Sequence, residues 1–165
     1  MFINPKQAIE EGWLRGVPDE DVQPNAVDVA ADGLSRINRD REFTLYGSGK
    51  MHRGVKEMQT DGGLWILDPN CAYDFTSPAY VEVPEGVVGW LVTRSTLNRN
   101  GVFVLSGLYD SGFKGHVCGI LYNLIGKTKM ERDSRVAQFI LASSDSAGVY
   151  AGGYNVEEGD VWHEK

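Results

Sequence analysis

The amino-acid sequence predicts an all-β domain, a sandwich or barrel of many short strands behind a short N-terminal helix. Three observations carry this. Helical periodicity nearly vanishes beyond residue 14. The remainder breaks into short runs of Val, Ile, Leu, Phe, Tyr and Thr, cut by Gly, Pro, Asn and Asp too often to leave room for βαβ crossovers. A length of 165 residues suits one domain able to bury a real core.

Residues 5–14, "PKQAIEEGWL", read as the helix: Pro5 suits a first turn, and Ile9, Trp13 and Leu14 share one face. Strand candidates follow in order: "AVDVAADGL", "EFTLY", "LWILDP", "AYDFTSPAYVEVPEG", "VVGWLVTRS", "GVFVLSGLYD", "GHVCGILYN" and "SRVAQFILAS". Residues 47–63 read as a long surface hairpin or loop. From Ser143 onward the chain is Gly- and Ser-rich with no sustained pattern. This divides it into a β domain, 1–142, and a mobile acidic tail, 143–165.

Bulk properties narrow the function. The net charge of −7 opposes a nucleic-acid surface, which shows a basic stripe. A nucleotide remains compatible, because a triphosphate needs only a local cluster of Arg, Lys and N–H groups. No apolar run reaches the length of a membrane span, and "MFINPKQAIEEGWLRG" has acids where an export signal needs its apolar core. Two cysteines, Cys71 and Cys118, make no disulfide framework, so the cytoplasm is the expected compartment.

Four stretches can carry chemistry. In "LSGLYDSGFKGHVCGILYN", residues 105–123, Asp110 and Phe113 sit in a glycine-bracketed turn, where Gly107, Gly112 and Gly115 let backbone approach a ligand. The plain alternative is an ordinary hairpin, with Asp110 a turn former and Phe113 a core residue. In "TRSTLNRNGV", Arg94, Ser95 and Arg99 offer forked donors and a hydroxyl suited to phosphate, or simply a solvated loop. Asp28 in "VQPNAVDVAADGL" and Gln138 in "DSRVAQFIL" are polar groups inside apolar strands, and each needs a partner in backbone or ligand.

Together, and in this order, the four stretches resemble the dUTPase and dCTP deaminase superfamily, from about residue 5 to residue 142. The N-terminal helix and the "QPNAVD" wording lean toward the deaminase branch. The resemblance implies a distorted jelly roll that forms homotrimers, with sites at subunit boundaries. It implies that Asp110 activates the water attacking the α-phosphate and that Phe113 lies against the deoxyribose. Arg94, Ser95, Thr96 and Arg99 become phosphate contacts, Asp28 and Gln138 the first- and fourth-motif residues. The pyrimidine would be held by main-chain groups of the strand after Gly115. Mg²⁺ is expected on the triphosphate and water, with no protein metal site.

The resemblance also separates two chemistries. Family deaminases place a glutamate five positions after the turn glycine, to shuttle protons at the amine. Here that position is Ile120, and "HVCGILYN" holds no carboxylate. The zinc-dependent H-x-E and P-C-x-x-C signature is absent as well; His116 and Cys118 read as packing or rim residues. Hydrolysis of dUTP to dUMP and diphosphate is therefore expected. A dCTP deaminase or bifunctional enzyme is the first alternative, a nucleotide- or partner-binding protein without turnover the second. The tail departs from the pattern: Gly153 stands where a lysine would help, and Glu157 and Glu158 have the wrong sign for phosphate. Tyr154 and Trp162 are expected to stack on the base from a neighbouring subunit or to anchor the tail.

Overall fold

The computed structural model describes residues 1–158 and 160. The alternating runs become strands: β1 (Leu14–Arg15), β2 (Val27–Ala30), β3 (Gly33–Ile37), β4 (Thr44–Tyr46), β5 (Gly49–Met51), β6 (Val55–Glu57) and β7 (Leu64–Leu67). Then come β8 (Cys71–Glu82), β9 (Val87–Thr93), β10 (Val102–Leu105), β11 (Lys114–Asn123), β12 (Thr128–Glu131) and β13 (Arg135–Ser143). The helices are α1 (Pro5–Glu10) and α2 (Ser95–Arg99). The expected all-β class is what forms.

Two main sheets enclose the core, with the β7-β12 pair adding Trp65, Leu67 and Met130. One runs β10-β11-β8-β3-β6, with β1 also on β8; the other runs β2-β13-β9. Period-2 alternation explains both. Tyr73, Phe75 and Val81 of β8 and Val117 and Leu121 of β11 point inward, against Val27, Val29, Val136 and Phe139 of the smaller sheet. Each such side chain contributes about 1.5–3 kcal/mol by leaving water. Asn123, wholly buried, ties the core's end: its amide nitrogen donates to Leu67 O, Asp68 O and Gly126 O, and its oxygen accepts from Thr128 Oγ1.

Two expectations need correction. The helix stops at Glu10, not residue 14, because Gly12 takes a left-handed φ of 74°. Leu14 then pairs with Val81 as strand, so its burial comes from the sheet edge rather than a helical face. Residues 47–63 are not one hairpin. β4 and β5 pair as a hairpin from Thr44 to Met51, and β6 returns to pair with β3 at the large sheet's edge.

Candidate active site

Strands β10 and β11 pair only from Val102↔Asn123 to Leu105↔Ile120. Beyond Leu105 the first arm leaves β11 and docks on β9, where Gly89 and Tyr109 exchange N–H···O bonds of 2.9 Å. The second arm stays on β8, with a register shift between His116 and Cys118. The arms thus diverge into a wedge, closed at its tip by Gly112, whose φ of 86° only glycine adopts without strain.

Asp110 sits exposed at the mouth of this wedge. Its carboxylate makes no hydrogen bond or ion pair among the described residues, while its carbonyl accepts from Phe113 N–H at 3.0 Å. Phe113 is half-buried, edge-on to Tyr109 with centroids 5.1 Å apart, and tilted against Tyr150 at 5.9 Å. The wedge itself holds the Tyr109 ring. The Tyr109 hydroxyl donates to Cys118 O at 2.6 Å and accepts from Cys118 N–H at 3.0 Å. Burial pushes the phenol's pKa up, so it stays protonated and can make both bonds.

The second cluster lies on the smaller sheet, where Gln138 pairs in register with Asp28. Asp28 is 3% exposed. Its Oδ1 accepts from Gln138 Nε2 at 3.1 Å. Its Oδ2 lies 3.2 Å from Arg94 Nη2, 3.8 Å from Arg135 Nη1 and 3.4 Å from Gln23 Nε2. Arg135 also reaches Asp21 at 3.1 Å. The buried carboxylate is thereby solvated by fixed donors, and Arg94 and Gln138 are held in place. Arg94 is the N-cap of α2, followed by exposed Ser95 and Thr96, with Arg99 exposed in the last turn. First-turn N–H groups have no partner within a helix, so this corner presents donors to solvent. From Gly89, beside Tyr109, to Arg94 the chain runs five extended residues, about 16 Å. One chain therefore keeps Asp110 and Arg94 apart.

A family model described as dCTP deaminase-like matches residues 5–144. The chain belongs to the dCTP deaminase-like family. It is 33% identical over 138 residues to a probable deoxyuridine 5'-triphosphate nucleotidohydrolase of Methanopyrus kandleri, covering 82% of this chain and 89% of that one. It is 27% identical over 159 residues to a dCTP deaminase of Acidianus ambivalens, covering 93% and 90%. Among solved structures, the dCTP deaminase of Agrobacterium tumefaciens superposes with a TM-score of 0.65 at 13% identity, covering 85% of this chain and 47% of that one. A mutant dUTPase from phage phi11 of S. aureus gives 0.52 at 13% identity, covering 85% and 95%. These likenesses establish the fold.

Within this dCTP deaminase-like chain, position 120 is bracketed by Leu105 on β10 and Asp74 on β8. Asp74 is half-buried, and burial alone raises its carboxyl pKa. His116 stacks edge-on against Tyr80 at 5.3 Å and has Nδ1 3.1 Å from Ser77 O; Cys118 is exposed.

The tail returns over its own hairpin. Tyr150 N–H donates to Ser111 O at 2.6 Å, Ser146 and Ser111 share a hydroxyl contact of 2.6 Å, and Val156 N–H donates to Lys114 O at 3.1 Å. Glu158 pairs with Arg15 at 2.9 Å, away from the donor corner. Within its own chain Tyr154 hydrogen-bonds Lys50 of β5, whose ammonium sits 4.5 Å from its ring centroid. Trp162 lies outside the described residues.

Proposed function

We infer that this protein is a dUTP nucleotidohydrolase, converting dUTP and water to dUMP and diphosphate. The observation that carries the reading is the exposed carboxylate of Asp110 at the wedge mouth, unpaired among the described residues, with an isoleucine where amine chemistry would need a carboxylate. Asp110 positions and deprotonates the water that attacks the α-phosphate. Arg94, Ser95, Thr96 and Arg99 hold the phosphate chain, with Asp28 and Gln138 keeping Arg94 oriented. Phe113 lies against the sugar, and the tail from Ser143 covers it.

Because the two clusters stand about 16 Å apart along β9, the complete site takes Asp110 from one copy and Arg94 from another, which fits a homotrimer. Among the described residues no group of three or more His, Cys, Asp or Glu is placed to hold a metal ion. Mg²⁺ would accompany the triphosphate and neutralise part of its charge. No described helix is long and apolar enough to cross a membrane, and a cytoplasmic location accords with two free thiols.

One observation favours dCTP deamination instead: Asp74, beside position 120, carries a carboxyl that burial keeps readier to hold a proton. A single assay tests both. dUTP, dCTP, dTTP and UTP are incubated with Mg²⁺ while diphosphate and ammonia are read separately. Diphosphate from dUTP without ammonia from dCTP is the expected result, and ammonia from dCTP overturns it.

A further inference from the structure

The wedge between the hairpin arms leaves the N–H and C=O of Cys118 on β11 without a β10 partner. In a paired strand, the N–H and C=O of Cys118 would meet β10. The β10 pairing ends at Ile120, and the departing arm has gone to β9. An edge with one donor and one acceptor side by side suits a planar ligand that offers the complementary pair, such as the amide edge of a pyrimidine. That edge is already taken. The Tyr109 hydroxyl makes both bonds, and its ring is fixed edge-on between Phe113 at 5.1 Å and Phe139 at 5.0 Å, 5% exposed.

We propose that Tyr109 is the specificity-determining residue of this site: its phenol is a built-in occupant of the Cys118 peptide edge, which a nucleobase must displace before that edge can read it. The inference rests on the nucleotide reading given above. The contact is intramolecular, so a base competes with a partner held at high effective concentration. Binding then draws chiefly on the phosphate contacts and little on the base. Because a hydroxyl both donates and accepts, Tyr109 also satisfies the peptide without strain when no ligand is present.

Three measurements test this. Tyr109→Val removes the occupant, and Tyr109→Phe removes only its hydroxyl. The expected outcome is a KM for dUTP at least tenfold lower in the first and threefold lower in the second, with kcat within twofold of wild type. Mere structural damage moves KM the other way and lowers kcat, so an unchanged or raised KM in a folded variant overturns the proposal. Should both variants fail to fold, the wild type decides. Tripolyphosphate should bind within tenfold of a non-hydrolysable dUTP analogue; a base worth more than a hundredfold overturns the inference. Diphosphate release by wild type with no gain in either variant leaves the hydrolase reading standing and the Tyr109 inference refuted. Silence from wild type with nucleotide binding gained in Tyr109→Val does the reverse. No binding in any of them refutes both.

Discussion

Asp28 carries its charge where almost no water reaches it, and its stability rests on the donors of Arg94, Arg135, Gln138 and Gln23. Removing it leaves two guanidiniums facing each other across a half-buried gap. Because their side chains are 29% and 43% exposed, water softens the loss, and Asp28→Ala should cost about 2–4 kcal/mol, read by urea denaturation. Asp74 behaves oppositely. Burial raises its folded-state pKa above the unfolded one, so its favourable contribution is complete below the ordinary carboxylate range and lost as pH rises through the raised value. Asp74→Asn should therefore stabilise the protein at pH 7, and the gain should shrink to nothing on acidification, followed by thermal melts across pH. Asp28 and Gln138 were legible in the sequence because polar groups interrupt apolar runs there, and Arg94 because it stands with Ser95 and Arg99 just after such a run. Arg135, Asp21 and Gln23 were not, since nothing local marks a contact such as Arg135–Asp21, made across 114 residues. Tyr109 was passed over for a related reason: its hydroxyl meets a backbone group, which leaves no side-chain partner to find.

The hairpin of β10 and β11 is the element on which the proposed function turns. Its tip depends on Gly112, where an added Cβ would lie 3.0 Å from Val149 Cβ and 3.1 Å from Tyr150 N, at a φ of 86°. Gly112→Ala should cost about 1–3 kcal/mol and push the tail away, seen as a lower melting temperature and faster proteolysis beyond Ser143. Strand elements were readable where alternation ran long, as in β8 and β13. Ends were harder. Ile9, Trp13 and Leu14 satisfy a helical spacing, yet the glycine at 12 reverses the chain and Leu14 is buried by β8 instead. The divergence of the hairpin arms had no signature in composition, because docking of Tyr109 on Gly89 is a tertiary choice.

For the whole molecule, the separation of Asp110 from Arg94 makes a strong prediction. Asp110→Asn and Arg94→Ala should each be inactive alone. Mixed after co-refolding, they should regain activity, up to about a quarter of wild type if chains assort at random and every site draws one residue from each of two copies. Absence of recovery in mixtures shown to co-assemble by native mass spectrometry would place both residues in a single-chain site.

Among the described residues, the tail's outermost ion pair is Glu158 with Arg15, which also serves Glu82. An ion pair so near solvent is governed by the medium, because the screening distance falls from about 30 Å at 0.01 M salt to about 3 Å at 1 M. Raising ionic strength should therefore loosen the tail at Glu158, while the Tyr150–Ser111 backbone bond beside Phe113 holds.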